Sequence, residues 1–217
     1  MALELLGVSK SYGDVIAVDK VSLCIEEGER AAVLGSSGSG KSTLLHLIAG
    51  LLETDTGRVL FRGKDLDKRP FMRDVAMVFQ EPALWNHMTI EKNIAFGCPV
   101  RGRRERSRYV GELAQKLGIA HLLKRYPGEI SGGQARRAAI ARALACQRKI
   151  LLLDEAFTNL DEETKKQTMD VVRQYCENAS AVLLVTHDEE EAQSFCSTIY
   201  RMEKGKLVRE STDHEKE

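Results

Sequence analysis

The sequence predicts an α/β protein: a buried parallel-type sheet core, an antiparallel β layer near the N-terminus, and an inserted α-helical segment. Three observations carry this. Gly35-Ser36-Ser37-Gly38-Ser39-Gly40-Lys41-Ser42-Thr43 lies between a short apolar strand and a helix. Ile150–Leu153 and Ala181–Val185 are unbroken apolar runs of strand length, the mark of strands covered on both faces. Between 83 and 130 the strand pattern gives way to helical spacing.

The bulk numbers agree with one sizeable core, or a core with a subdomain, in 217 residues. Hydrophobic residues make up 43% and charged residues 29%, an ordinary globular balance. Lys+Arg and Asp+Glu are both 32, which argues against a general nucleic-acid binder. No signal peptide is recognisable, and no stretch reaches the ~20 apolar residues of a membrane span. Cys24, Cys98, Cys146, Cys176 and Cys196 lack metal-ligand or redox spacing and read as reduced thiols.

Residues 3–9 and 15–25 alternate polar and apolar and read as strands joined at Tyr12-Gly13-Asp14. Tyr12 has two open readings, a ring that stacks on a base or an ordinary turn aromatic. Arg30–Leu34 is a buried strand, and Lys41–Ala49 a helix with Leu44, Leu45, Leu47 and Ile48 on its apolar side. The loop between them fits the phosphate-binding pattern of Gly, four residues, then Gly-Lys-Ser/Thr. Glycines let successive N–H groups turn toward an anion, and the helix adds its positive end. Lys41 can reach the outer phosphates of a nucleotide, and the Ser42 hydroxyl can ligate Mg²⁺.

Gly57–Arg62 reads as a strand ended by Gly63, and Val75–Phe79 as a buried strand. Gln80 follows at a strand end, where ligand-facing residues collect in open α/β sheets. Thr89 can cap a helix through Ile90, Ile94 and Phe96. A second helix is expected from Glu105 to Leu117, with Val110, Leu113, Ala114 and Leu117 on one face. The basic run Arg101–Arg108 reads first as a solvated helix start, and Trp85 as a loop residue, at an interface or packed. Ser131 caps a helix opened by Gly132-Gly133-Gln134, either a plain Gly-rich entry or a second anion site.

Ile150–Leu153 runs directly into Asp154 and Glu155. Beside a phosphate loop, one carboxylate can hold Mg²⁺ and the other can orient or deprotonate a water. Asp161 caps a helix to about Cys176, and Ala181–Val185 ends at Thr186-His187-Asp188. Glu189–Cys196 is helical, Thr198–Met202 and Lys206–Val208 form a hairpin, and the tail after Glu210 reads as frayed.

Taken in order, these motifs resemble those of the ATP-binding cassette (ABC) ATPases, importer type, across nearly the whole chain. Gly35–Thr43 resembles the Walker A loop and Ile150–Glu155 the Walker B strand with its glutamate. Ile130–Gln134 resembles the family signature, with Ile in place of the usual Leu. Gln80, Asn159–Asp161 and His187 correspond to the Q-loop, D-loop and switch histidine, and Tyr12 to the adenine-stacking aromatic. Ala156 stands where the family usually has Pro, and Asn86 where importers often do.

The resemblance implies a RecA-like P-loop core over 1–82 and 145–217, with the β subdomain, and a helical subdomain over 83–144, all within one domain, 1–217. It implies that Gly35, Ser36, Ser37, Gly38, Ser39, Gly40, Lys41, Ser42 and Thr43 hold the ATP phosphates. Ser42, Gln80 and Asp154 would surround Mg²⁺, Glu155 would act as general base, and His187 would contact the γ-phosphate. Ser131, Gly132, Gly133, Gln134 and Asp161 would close on ATP held by a second copy. The implied setting is a homodimer on the cytoplasmic face of a membrane. Its partners would be transmembrane subunits and a solute-binding protein, with no nucleic acid. The alternative is a soluble cassette of the repair or translation type, but those usually carry long coiled coils or two cassettes.

Overall fold

The computed structural model describes residues 1–66 and 69–210, so the tail expected to fray after Glu210 lies outside the described residues. Two sheets make up the β structure. The first is antiparallel, with β1 (Leu3–Tyr12), β2 (Val15–Ile25), β4 (Thr56–Phe61) and β5 (Lys64–Asp65) in the order β2-β1-β4-β5. The second contains β3 (Glu29–Leu34), β6 (Val75–Val78), β7 (Ile150–Asp154), β8 (Ala181–Thr186), β9 (Thr198–Glu203) and β10 (Lys206–Glu210). Its order is β10-β9-β3-β8-β7-β6, with all pairings parallel except β10 on β9.

The apolar runs behave as two-sided strands. Every residue of β7 and β8 is buried. Their side chains alternate between two cores, as the period of two demands. Leu151, Leu153, Val182 and Leu184 join one core with the helices α2 (Ile90–Ala95), α3 (Arg103–Lys116), α4 (Gly132–Ala145) and α5 (Glu162–Cys176). Ile150, Leu152, Leu183 and Val185 join the other, with Leu44, Leu45, Leu47 and Ile48 of α1 (Lys41–Ala49) and the inner face of β1 and β2. The fold is therefore the expected α/β cassette: a P-loop core sheet, an antiparallel β layer on one face and a helical insert toward the other.

Helix ends follow local chemistry. Thr89, Ser131 and Asp161 cap α2, α4 and α5 by accepting from the N–H groups of Lys92, Gln134 and Thr164. Asp188 does the same for α6 (Glu189–Phe195), accepting from Glu191 N. The last turn of α1 is closed from a distance: Arg73 Nη1 donates to Leu47 O at 2.8 Å and Ile48 O at 2.6 Å, a cation at the negative end of a helix dipole.

Several boundaries differ from the sequence expectation. α3 begins at Arg103 rather than Glu105, because Gly102 makes the entry and Arg106 N bonds back to Gly102 O. α2 stops at Ala95, and Phe96 is 62% exposed rather than part of the apolar face. Its ring instead lies 4.3 Å from that of Trp85. The short strand β5 and the 3-10 turns at Pro70–Met72, Ala120–Leu122 and Pro127–Glu129 carry no periodic signal and were not expected.

Candidate active site

The C-terminal ends of the five parallel strands lie along one edge of the larger sheet, the usual position for a ligand in an open α/β sheet. The loop Gly35–Gly40 leaves β3 there and enters α1. Two of its glycines are held by backbone from other strands. A Cβ on Gly35 would fall 2.4 Å from Met202 O, and one on Gly40, at φ 108°, would fall 2.1 Å from Ala17 O. The loop is thus wedged between β9 and β2, and neither site admits a side chain.

No side chain caps α1 and no acid lies in its first turn, so its N-terminal N–H groups are bare. Ser39 Oγ is buried with no partner in the protein. Lys41 folds over the loop, its Nζ donating to Gly35 O and Ser36 O at 2.8 Å each. Burial lowers the pKa of that ammonium, while Glu155 and Asp154 oppose the shift. Bare N–H groups, an unpartnered hydroxyl and a largely desolvated ammonium together make a cradle for phosphate oxygens. Replacing Gly40 by Ala is expected to cost about 3 kcal/mol, from the close contact and the positive φ. Urea unfolding measures it; an unmoved midpoint would show that the loop is free to shift.

The carboxylates lie beside this cradle. Ser42 Oγ donates to Asp154 Oδ1 at 3.2 Å, and burial raises the Asp154 pKa against the pull of that hydrogen bond. Glu155 follows at φ 45°, a left-handed turn that costs a non-glycine residue about 1–2 kcal/mol. The turn is held by Glu155 N donating to Val185 O at 2.9 Å and Thr158 Oγ1 donating to Glu155 O at 2.8 Å. Its side chain is then met from two sides. Gln80 Nε2 donates to Glu155 Oε2 at 3.2 Å, and His187 Nδ1 stands 3.4 Å from Glu155 Oε1. Gln80, Glu155, His187, Asn159 and Leu160 line one groove of about 710 Å³.

The remaining expected site residues are placed differently. Tyr12 ends β1 paired with Val15 and is 49% exposed. Ser131 and Gln134 form a reciprocal capping box, Gln134 Oε1 accepting from Ser131 N at 2.9 Å. A Cβ on Gly133 would stand 3.2 Å from Asn159 O, so this helix start packs beside the segment that leads into α5. Asp161 uses its carboxylate as the α5 cap, and the Thr164 N–H lowers its pKa. None of Tyr12, Ser131–Gln134 or Asp161 lines the groove with Glu155.

Sequence reasoning missed Arg136. It is buried on α4, and its guanidinium donates to Phe79 O at 2.8 Å, to Gln80 O, and to Thr158 Oγ1 at 3.4 Å. One side chain thereby ties the signature helix, the segment after β6 and the turn after Glu155. It also missed Asn93, whose fully buried amide satisfies Trp85 N, Trp85 O, Met88 O and Thr89 O and shapes the loop before α2. Trp85 is packed rather than free, between Phe96 and Arg142, whose guanidinium lies 4.9 Å from its ring centre.

Residues 18–158, which include the phosphate loop, Gln80, the helical insert and the two carboxylates, match the family model described as ABC transporter. The chain belongs to that family. It is 43% identical to the sulfate/thiosulfate import ATP-binding protein CysA of Thermosynechococcus vestitus, over 99% of this chain and 65% of that protein. It is 44% identical to the CysA of Bordetella bronchiseptica, over 95% of this chain and 61% of that protein. The chain thus spans less than two thirds of the length of these relatives. Among solved structures it is similar to a dimer of the ATP-binding cassette MJ0796 in a post-hydrolysis state bound to ADP and Pi. The TM-score is 0.88 at 30% identity, covering 96% of this chain and 97% of the other. The fold is accordingly that of an ABC ATPase cassette.

Proposed function

We propose that this chain is the ATP-hydrolysing subunit of a membrane importer and works as a pair of cassettes that close on ATP. The observation that carries the proposal is the split of the machinery within one chain. The phosphate cradle and the Gln80–Glu155–His187 group share one sheet edge, while the capped helix start at Ser131 packs against Asn159 and Leu160 and does not line the groove around Glu155. A glycine-opened helix start that lines no part of its own chain's catalytic groove suits a phosphate held by a second copy. The dimeric MJ0796 cassette supports that arrangement.

In this reading Gly35–Thr43 hold the phosphates and Tyr12 stacks on adenine. Glu155 takes the proton of the attacking water, Gln80 fixes the Glu155 carboxylate, and His187 contacts the γ-phosphate. Mg²⁺ would be held by Ser42, Asp154 and Gln80, and would offset charge on the phosphate oxygens. The protein set fits such an ion: a hydroxyl already hydrogen-bonded to a buried carboxylate, with the nucleotide supplying further oxygens. Among the described residues no cluster of three His, Cys, Asp or Glu side chains competes for it.

Residues 1–82 and 145–217 form the nucleotide-binding part of this reading, and 83–144 the helical part that meets the membrane partner. No helix of the described residues is long and apolar enough to cross a membrane. In this reading the partners are transmembrane subunits and a solute-binding protein that selects the cargo, with this chain on the cytoplasmic face. The two CysA relatives support a sulfur oxyanion as that cargo.

Ser131→Arg tests the two-copy closure. ATP affinity should stay within about threefold, the ATP-driven dimer should vanish in light scattering, and turnover should fall about 10²-fold, the usual cost of losing an aimed donor. A parental dimer with parental turnover would remove Ser131 from any role across the interface.

A further inference from the structure

His187 stands at the end of β8 with an exposed ring, so its backbone must be fixed from behind if the ring is to hold one position. The structure supplies such a fixture, made of residues that the sequence motifs do not include. Asp188 N donates to Thr186 Oγ1 at 3.1 Å, and Asp188 Oδ1 caps α6 through Glu191 N at 3.0 Å. The other oxygen, Asp188 Oδ2, accepts from Lys165 Nζ at 2.6 Å. The same ammonium lies 3.0 Å from Glu191 Oε2.

Glu191 is only 2% exposed, and its Oε1 has no partner. A buried carboxylate with one idle oxygen needs its cation: without Lys165 it would sit unpaired one helical turn from a second carboxylate. Lys165 itself belongs to the first turns of α5, where its N–H bonds to Asp161 O at 2.7 Å. That turn follows directly on Asn159, at φ 61°, and Leu160, which pack against the signature helix start at Gly133. One ammonium therefore joins the segment expected to meet a second cassette to the segment that carries His187.

We infer that Lys165, through Asp188 and Glu191, is a positioning residue that sets the place of His187 and couples it to the Asn159–Asp161 segment. The inference rests on the reading of His187 as the γ-phosphate contact.

The test uses ATP turnover by the full chain with Lys165→Met, which keeps the stem and removes the charge, and Lys165→Arg, which keeps the charge. Lys165→Met should lower kcat about 10–100-fold with KM for ATP within about threefold, the scale expected when a reacting group is displaced by about 1 Å. Lys165→Arg should retain at least about a third of the parental rate, since a guanidinium can span the same two carboxylates. In a His187→Ala background Lys165→Met should cost nothing further, because residues acting through one group are not additive. A kcat within twofold of parental, or the same fractional loss in both backgrounds, overturns the inference. If Lys165→Met does not unfold cooperatively, Asp188→Asn decides, since asparagine still caps α6 but weakens the ion pair. A parental rate there overturns the coupling equally. A fully active His187→Ala would instead sink the role given to the histidine itself. An inactive His187→Ala beside an active Lys165→Met would sink only the clamp.

Discussion

Glu155→Gln is expected to hydrolyse ATP about 10²–10⁴-fold more slowly than the parent while binding ATP within about threefold of the parental affinity. The substitution is nearly isosteric. An amide oxygen can still accept from Gln80 Nε2, which now donates to Glu155 Oε2 at 3.2 Å, so the turn after β7 keeps its shape. What disappears is the base. An amide cannot take the proton of the attacking water, and the loss corresponds to about 3–5 kcal/mol of barrier. The phosphate loop is untouched, so ATP and the closed pair of cassettes should accumulate together. Single-turnover hydrolysis and light scattering with Mg-ATP measure the two halves of this result. Hydrolysis within threefold of parental would show that the proton goes elsewhere. Undiminished ATP binding with no dimer at all would count against closure on the nucleotide.

Lys41→Ala carries the second large effect, on binding rather than turnover. A bare helix start alone attracts an anion by about 0.3–1 kcal/mol. Hydrogen bonds from a charged donor contribute about 1.5–3 kcal/mol each, so the ammonium outweighs the helix dipole. Affinity for ATP should fall at least about 10²-fold, roughly 3 kcal/mol. The fold should survive. Lys41 opens α1, alanine is the best helix former, and the ammonium's present acceptors, Gly35 O and Ser36 O, belong to its own loop. The ammonium already sits over the loop, so passing from two carbonyls to phosphate oxygens demands little rearrangement. Titration calorimetry with unchanged circular dichroism checks the expectation; ATP affinity within threefold of parental would move the phosphates to another place.

Much of the cassette is legible in the amino-acid sequence. The phosphate loop, the buried strands β3, β7 and β8, the bounds of α1, and the caps Thr89, Ser131 and Asp161 all express short-range rules: period, turn chemistry, and a side chain reaching three residues along. The convergence of Gln80, Glu155 and His187 was foreseen only through the order of motifs, because the bonds joining them span 75 and 32 residues of chain.

Element types, a glycine loop suited to phosphate and a pair of acidic residues at a strand end all follow from local stretches of sequence. Tertiary structure alone decided which charged side chains turn inward. Arg73 closes α1, Arg136 ties Gln80 to the turn after Glu155, and Lys165 bridges Asp188 and Glu191. It also decided that Phe96 faces outward and that Ser131 lies outside the groove of its own chain. The reason is physical. Periodicity and capping are properties of a few consecutive residues, whereas the burial of a cation depends on the carbonyls and carboxylates that distant segments leave open, and those exist only once the sheet has assembled.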